Sequence, residues 1–545
     1  MIQVIAKALS FILYKYIYVY IHGCADILAS MIQPTRRYSE YLAFGVIVLV
    51  FIVVRLPILW YHDVAYTYDQ ARDFLSGVRI VVDHNPVFIG PTTGVDGLFH
   101  GAWWYYFTGL SYLLFGSEPI RYYVAILLVH LIGVIFFYAS TRRLFGVIIA
   151  MWGALHIATI DYFVSYRIFA GNNIFAAPFF MLFCLILMRF PNMQKKSIPL
   201  SLFLFGLAVG FVAEFELAFG IFLLPLTLLF LVVAIVKRYI VKSSTVYFLF
   251  GLLIPFTPRL LFELKNNFLQ TRILLSFFSK PKLFTPRTYP EVLDERIHNF
   301  IYFFKDSFGT DRAALLAAVF ISLIAIILLF RLFKRRSHPH DELEMHTTRM
   351  ALLVSIMGGL FLISLWYRDT FWNYYYEGIQ FAILLLFMST WAATKIIHKK
   401  MYVIISVLLC CVMFLQVSSR LVGAFRYVPG ESGLMVQESI VQYIVDRQKD
   451  DRIFCVRVFV PPVIPYTYDY LWLHHYLKRT VETPRYEYQK GTCWYIIEPE
   501  QKGYEFRLIK WKEKNIPIDA TLIKNSEKII KGISVSQYEQ KTKQK

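Results

Sequence analysis

The hydrophobic residues of this chain fall into runs that are long enough to cross a lipid bilayer as helices. Crossing takes roughly 17–25 apolar residues, and such runs recur along most of the sequence. A soluble core accounts for one run of this length but not for a series of them. The runs lie near residues 41–60, 121–140, 147–163, 173–190, 199–216, 217–236, 245–262, 313–333, 350–366, 374–394 and 401–420. We therefore predict a polytopic α-helical membrane protein with about eleven transmembrane helices.

The two ends of the chain differ from this pattern. Residues 1–35 are apolar but interrupted by charges, which predicts an interfacial amphipathic helix or a poor span. Beyond Arg420, segments that alternate apolar and polar residues are typical of strands, and one segment has helical spacing. The predicted parts are a cytoplasmic or interfacial segment over 1–40, a transmembrane part over 41–427 with outer loops 61–120 and 263–312, and a soluble α+β domain over 428–545.

The charge distribution distinguishes this chain from nucleic-acid-binding proteins. Its net charge is +19, yet charged residues make up only 17% of a chain that is 57% hydrophobic. Clusters of basic residues occupy every second loop, as the cytoplasmic loops of membrane proteins do. The segments 61–120, 263–312 and 421–545 then lie outside the cytoplasm. The loop 263–312 is basic too, but long loops follow this rule weakly and their cations can meet lipid phosphates. We predict a multi-pass protein of the plasma (inner) membrane that contacts lipids and no nucleic acid.

The six cysteines show no CxxC pair and no Cys/His ligand spacing, which argues against a structural zinc site. Cys455 and Cys493 both fall in the C-terminal domain. If that domain is extracytoplasmic, they can form a disulfide, and two unpaired buried thiols are the alternative.

Ionisable residues are distributed unevenly between the two sides of the membrane. The cytoplasmic span ends carry almost only Lys and Arg, whereas the outer ends carry acids as well. Glu214 and Glu216 even lie within an apolar stretch, where a charge is costly unless it faces a polar cavity. The outer set comprises Asp69, Arg72, Asp73, His100, Asp161, Arg167, Glu214, Glu216, Arg259, Glu263, Lys265, Arg368, Asp369 and Glu377. We predict that several helices present these groups to one outer cavity at membrane level, although each residue alone could be an ordinary interfacial charge.

The first outer loop carries the most distinctive chemistry. Asp69 and Asp73 are four residues apart and Arg72 lies between them, so on a helix the three share one face. This places a carboxylate that can accept a proton beside a cation that can hold a phosphate. The alternative is a surface salt bridge that contributes only a few tenths of a kcal/mol.

Three stretches in and beyond this loop resemble GT-C-type membrane glycosyltransferases, in particular those related to protein O-mannosyltransferases and the lipid A aminoarabinose transferase, the glycosyltransferase family 39-related group. They are Asp69-Gln70-Ala71-Arg72, the segment from Phe99 to Tyr106 (FHGAWWYY), and the outer segment RDTFWNYYYEGIQFAILLLF. The likeness covers about residues 40–420 and is firmest in the first loop. Gln70 stands where the family has a second acid, and His100 stands where a carboxylate often stands.

The resemblance implies sugar transfer from a polyprenyl-phosphate or polyprenyl-diphosphate carrier to an acceptor outside the cytoplasm. Asp69 would be the general base of an inverting displacement, and Arg72 would hold the departing phosphate. Further phosphate candidates by position are Arg259 and Lys265. Candidate substrate-binding residues are Asp73, His100, Glu214, Glu216, Tyr375 and Glu377. His100 could instead be a structural loop histidine, and Tyr374 to Tyr376 an interfacial aromatic belt. We expect no cofactor, since a divalent metal could help but no motif requires one.

Three other functions compete with this one. A transporter or flippase of lipid-linked saccharides would share the lipid and the cavity but would not depend on Asp69. A non-catalytic receptor would depend on residues 428–545 instead, and a polysaccharide ligase or polymerase would rely on arginines in a large late outer loop. The sequence leaves the sugar open, and the acceptor could be a protein, a glycolipid or a polysaccharide.

Overall fold

A computed structural model describes residues 37–165, 168–279, 285–334, 342–430, 433–448, 454–461, 464–485 and 492–540. The predicted interfacial helix or poor span within residues 1–35 lies outside these ranges, and so does Arg167.

The membrane part is a bundle of helices that follow one another closely along the chain. In chain order these are α1 (Arg37–Trp60), α2 (Tyr68–Val82), α3 (Trp103–Phe115), α4 (Pro119–Phe145), α5 (Val147–Thr159), α6 (Asp161–Ser165), α7 (Ala176–Leu187), α8 (Ile198–Phe215), α9 (Leu217–Val236), α10 (Thr245–Lys265), α11 (Leu269–Ser279), α12 (Tyr289–Phe308), α13 (Asp311–Lys334), α14 (Glu342–Ser364), α15 (Ile379–Ile397) and α16 (Lys399–Phe425). Short 3₁₀ turns at Asn172–Phe175, Phe190–Asn192, Lys195–Ser197, Lys242–Ser244 and Asn373–Tyr376 connect some of them.

Ten helices among the described residues are long and apolar enough to cross a membrane. They are α1, α4, α7 with its flanking turns, α8, α9, α10, α13, α14, α15 and α16. The predicted polytopic helical fold is therefore confirmed. The central helix is α15, because 89% of its most apolar window is buried.

One predicted run, 147–163, is divided into two helices instead of forming one span. Its first part, α5, has only 13 residues, and α6 begins at Asp161 after the break. Arg55 of α1 donates to the carbonyl of Ala158 at 3.0 Å and to that of Phe163 at 2.9 Å. Carbonyls left without helical partners at a break need donors of this kind. The buried Arg55 of α1 therefore supplies hydrogen-bond donors to the carbonyl groups at this break.

Helices also fill the two outer loops. In the first loop, α2 begins with a capping box, in which the backbone N–H of Thr67 donates to the side chain of Gln70 at 2.8 Å. This start places Asp69 in the first turn of α2 and Arg72 one turn later. Gly77 lets α2 and α3 lie close together, because a Cβ there would be 2.6 Å from the backbone nitrogen of Gly109.

The C-terminal part contains the predicted α+β elements. They are α17 (Leu434–Val445), β1 (Cys455–Phe459), α18 (Tyr466–Leu477), β2 (Thr492–Ile497), α19 (Glu505–Asn515), β3 (Ala520–Leu522), β4 (Lys528–Ile530) and β5 (Ile533–Gln540). The sheet order is β1-β2-β5-β3, with β4 also paired to β5. Strands β1 and β2 run parallel, and Cys455 and Cys493 are register partners that form a disulfide.

The C-terminal part packs directly on α2. Phe74 of α2 stacks on Tyr122 with ring centroids 4.0 Å apart and meets the edge of Tyr470 of α18 at 5.6 Å. The Tyr470 hydroxyl lies 2.7 Å from that of Tyr122. His62 and Glu438 form a second link of 2.6 Å. The helix that carries Asp69 is thus held from both sides.

The disulfide predicts a measurable loss of stability when Cys455 and Cys493 are both replaced by serine. Closing a loop of 38 residues restricts the unfolded chain, so the C-terminal part should lose about 3–4 kcal/mol. Pulse proteolysis in urea would report this loss. The free, exposed Cys411 of α16 is the matched control, and an equal effect of Cys411→Ser would contradict the prediction.

Candidate functional site

A cavity with a volume of about 1140 Å³ lies among the predicted site residues. Its walls are the start of α2, the loop 91–100, the junction between α8 and α9, one face of α11 and the segment 366–375. Six of the ten predicted site residues line it, namely Asp69, Arg72, Asp73, His100, Glu216 and Tyr375. The structure thus brings together groups that are up to about three hundred residues apart in the sequence.

Arg72 bridges the two acids of its own helix. One terminal nitrogen, Nη1, contacts Asp69 at 2.9 Å, while Nε and Nη2 both contact the Oδ1 atom of Asp73 at 2.8 Å. The other oxygen of Asp73 accepts from the indole N–H of Trp104 at 2.7 Å. Both oxygens of Asp73 therefore contact donors, as a buried carboxylate requires.

The two acids differ greatly in exposure. The Asp69 side chain is 63% exposed, whereas that of Asp73 is 2% exposed. Burial raises the pKa of Asp73 to about 7, although Arg72 and Trp104 act in the opposite direction. Asp69 is therefore the acid that a substrate in the cavity can reach, and Asp73 fixes the guanidinium of Arg72.

His100 lies at the cavity wall on the loop between α2 and α3. Burial, together with the charges of Arg259 and Arg72, lowers its pKa to about 3, so the imidazole is neutral at physiological pH. Its Nδ1 atom lies 3.5 Å from the backbone nitrogen of Leu217, at the start of α9. A neutral imidazole can donate or accept a hydrogen bond but adds no positive charge for a phosphate.

Glu214 and Arg259 form a buried pair behind this loop. The Nε of Arg259 lies 2.6 Å from Glu214, whose side chain is fully buried. The Nη1 of Arg259 donates at 2.9 Å both to the carbonyl of Phe99 and to Gln270. The Gln270 oxygen also accepts the backbone N–H of Phe99 at 3.0 Å, and Gly101 donates to the Glu214 carbonyl at 2.7 Å. These contacts fasten the His100 loop to α8, α10 and α11.

The remaining predicted residues occupy different surroundings. Lys265 is exposed at the end of α10 and does not line the cavity. Glu216 is 2% exposed and accepts from the backbone N–H of Ala218 at 3.3 Å. Glu377 is also 2% exposed, lies behind the cavity wall, and accepts from Tyr162 at 2.6 Å.

Tyr375 belongs to an aromatic wall that the sequence did not single out. The rings of Trp372 and Tyr374 are nearly parallel, with an interplanar angle of 13° and centroids 6.1 Å apart. Phe278 of α11 faces Trp366 at 5.1 Å. All of these rings line the cavity. The only sequence signal was the abundance of aromatic residues near Tyr375, which an interfacial belt would show as well.

Two further acids of the cavity wall are engaged in holding loops. Asp63 accepts from the Tyr427 hydroxyl and from the backbone N–H of Gly430 at 2.7 Å, which ties α1 to the start of the C-terminal part. Asp369 accepts from the Thr285 hydroxyl at 2.6 Å. Within the described ranges no group of three or more His, Cys, Asp or Glu side chains is placed to hold a metal ion.

Comparison with known proteins identifies the class of the fold. Residues 100–262 match the family model described as dolichyl-phosphate-mannose-protein mannosyltransferase, which is a little under a third of the 545-residue chain. The fold is similar to the crystal structure of ArnT from Cupriavidus metallidurans bound to undecaprenyl phosphate, with a TM-score of 0.51 and 12% identity over 91% of this chain and 97% of that one. Against ArnT of the same organism in the apo state the TM-score is 0.52, with 12% identity over 92% and 98% of the two chains. No match was found among curated protein sequences.

The expected resemblance to GT-C-type membrane glycosyltransferases is therefore confirmed. At 12% identity the likeness to ArnT shows the fold. The family model independently matches the segment from the His100 loop to the end of α10.

The Glu214–Arg259 pair allows a test by a double-mutant cycle. Removing either partner leaves a buried charge unpaired, so Glu214→Gln and Arg259→Met should each destabilise the protein by about 3–5 kcal/mol. The double variant should cost clearly less than the sum, as measured by thermal unfolding in detergent. Additive losses would show that the two side chains do not depend on each other.

The burial of Asp73 predicts a pH-dependent effect of Asp73→Asn on stability. Its pKa is higher in the folded protein than the ordinary 3.8, so the acid costs stability as pH rises from about 4 to about 7. The neutral variant should therefore gain in melting temperature relative to the native protein as pH rises from about 4 to about 7. If Asp73→Asn instead loses melting temperature relative to the native protein as pH rises, the ion pair of Asp73 with Arg72 stabilises the fold by more than the burial of Asp73 costs.

Proposed function

We propose that this protein transfers a sugar from a polyprenyl-phosphate-linked donor to an acceptor in the outer cavity, with Asp69 as general base. The proposal rests on the Asp69–Arg72 contact at the wall of a large cavity, in a chain with the GT-C-type fold. The alternating basic loops support an orientation in which this cavity and the C-terminal domain face away from the cytoplasm of a plasma (inner) membrane.

The proposed reaction is one displacement with inversion at the anomeric carbon. The acceptor oxygen attacks that carbon, and the bond between the carbon and the phosphate oxygen breaks. The bonding electrons leave with the lipid phosphate, and the acceptor proton passes to Asp69. Arg72 stabilises the phosphate oxygen that gains negative charge, through a charge-assisted hydrogen bond.

The contacts of Arg72 provide a way to connect donor binding with activation of the base. Asp73 engages Nε and Nη2, whereas Asp69 engages only Nη1. A donor phosphate can take the place of Asp69 at Nη1 while Asp73 keeps the guanidinium in position. Asp69 would then be free to accept a proton from the acceptor at the moment when the donor is in place.

Two observations support a polyprenyl-phosphate carrier, namely the cavity and the structurally similar ArnT. The ArnT structure is described as bound to undecaprenyl phosphate. We infer that a polyprenyl tail can lie in lipid beside the helices while its phosphate enters the cavity and reaches Arg72, which lines it.

The other predicted residues keep proposed roles that follow from their places. Glu216, His100 and Tyr375 line the cavity and can contact the sugar or the acceptor. Arg259 and Lys265 do not line it, so a contact of either residue with phosphate requires movement. Glu214 is engaged with Arg259.

The test compares Asp69→Asn with Asp96→Asn, a change at an exposed acid in the same outer loop that does not line the cavity. Both proteins are placed in native membranes that contain a radiolabelled pool of polyprenyl-linked sugars. Loss of a general base should reduce transfer by at least about 100-fold in the Asp69 variant and leave the Asp96 variant unchanged. Equal transfer by the native protein and both variants would exclude Asp69 as the base. Movement of intact labelled lipid across the membrane without transfer would favour a flippase.

A further inference from the structure

A buried arginine near the start of α14 lies at the end of the helix bundle that is remote from the outer cavity. Arg349 is 4% exposed, and its Nε donates at 3.1 Å to the carbonyl of Met188, which directly follows α7. Helix α14 ends at Ser364, two residues before Trp366 of the cavity wall. Since a helix rises about 1.5 Å per residue, Arg349 lies roughly 20 Å along α14 from that wall.

The contact with Met188 uses only one of the three nitrogens of the Arg349 guanidinium. Carbonyl groups at the end of a helix need a donor, but a neutral donor is sufficient for that purpose. The Nη1 atom of Arg349 is buried and has no hydrogen-bond partner among the residues that the structure describes. Arginine stays charged in proteins, and a buried charge is costly unless it is paired. Arg349 therefore offers a donor and a positive charge that its contact with Met188 does not use.

His346 supplies a second, independent donor without a partner. It comes three residues before Arg349, so the two side chains lie on the same face of α14. The imidazole is 8% exposed, and its ring lies 6.4 Å from that of Phe145 at the end of α4. Its Nδ1 atom is buried and has no hydrogen-bond partner within the described ranges. Two side chains that are more than nine-tenths buried thus present unpartnered nitrogens on one helical face.

No acid neutralises Arg349 in the part of the chain that the structure describes. Arg189 follows Met188 directly and is exposed, so it adds a second positive charge near the same end of α7. The acids in the first turn of α14, Glu342 and Glu344, are exposed to solvent. Among the described residues, neither arginine forms a salt bridge with an acid. Buried donors that carry an uncompensated positive charge favour a bound anion.

We propose that Arg349 and His346, with Arg189 at the edge, form a binding site for a phosphate group, which either a lipid headgroup or free phosphate can provide. The candidate span that contains Arg349 begins at Glu344, so the site lies within the first two turns, near the level of lipid headgroups. A bound phosphate gives Nη1 of Arg349 and Nδ1 of His346 the partner that they lack, and it neutralises the guanidinium. The site is remote from the outer cavity, so this proposal is independent of the transfer reaction.

The test follows the melting temperature of the full-length protein, purified in detergent and stripped of lipid. It is titrated separately with phosphatidylglycerol and with sodium phosphate. Diacylglycerol with the same acyl chains is the control for the lipid, and sodium chloride at equal ionic strength is the control for the salt. At least one phosphate compound should raise the melting temperature in a saturable manner that its control does not reproduce. A response to phosphatidylglycerol alone identifies a lipid headgroup as the ligand, and a response to sodium phosphate identifies the free ion as sufficient.

Three variants locate the site. Arg349→Met removes the buried charge at similar size, so the concentration at half-saturation should rise at least about tenfold, as expected for the loss of a hydrogen bond to a charged group. Arg189→Gln changes an exposed side chain and should raise that concentration about two- to fivefold, which keeps the test valid if Arg349→Met fails to fold. Arg238→Gln, at an exposed arginine two residues after α9 at the same end of the bundle, should leave it unchanged.

Two results would overturn the proposal. The first is a native protein in which neither phosphate compound raises the melting temperature more than its control does. The second is a half-saturating concentration that Arg349→Met and Arg189→Gln leave at the native value. Equal weakening by Arg238→Gln and Arg189→Gln would also overturn it, because the response would then depend on the overall positive charge of this surface and not on a site at Arg349.

Discussion

Arg72 is held between two carboxylates of its own helix, and the candidate site depends on this arrangement. Charged groups near an apolar environment are costly unless each has a partner. Asp73 meets this need from the buried side, with Trp104 as a second donor, and leaves one edge of the guanidinium directed at Asp69 in the cavity. The same three residues therefore stabilise the start of α2 and, in the proposed reaction, hold the phosphate-binding Arg72 beside the base.

The position of α2 depends in turn on the packing around Phe74. That ring lies between Tyr122 of α4 and Tyr470 of α18, so both the membrane bundle and the C-terminal part determine where Asp69 points. Asp63 and His62 make further links across the same boundary. The C-terminal part thus helps to hold in place the helix that carries Asp69. On the other side of the cavity from α2, the Glu214–Arg259 pair holds the His100 loop. The contacts of α2 and of this pair together determine the shape of the cavity.

Sequence patterns predicted those features that depend on local periodicity. The apolar runs predicted the ten helices that are long enough to cross a membrane. The i, i+3, i+4 spacing predicted that Asp69, Arg72 and Asp73 share one helical face. The spacing could not tell which of the two acids is buried, because that depends on Trp104 of α3. The pairing of Glu214 with Arg259 and the aromatic wall around Trp372 likewise arise from tertiary contacts between distant segments. The prediction of a single span over 147–163 was wrong, because the helix break lies within an apolar run and hydropathy alone does not reveal it. Arg55, from another helix, hydrogen-bonds to the carbonyl groups at this break.

The central claim is that Arg72 and Asp69 mark the place where a lipid phosphate and an acceptor meet. The most direct measurement is a cryo-electron microscopy map of the full-length protein in lipid nanodiscs with added polyprenyl phosphate. We expect phosphate density in the cavity within hydrogen-bond distance of Arg72 Nη1, with the Arg72–Asp73 contact intact and Asp69 released. Phosphate density at another site, with the Asp69–Arg72 contact unchanged, would contradict it.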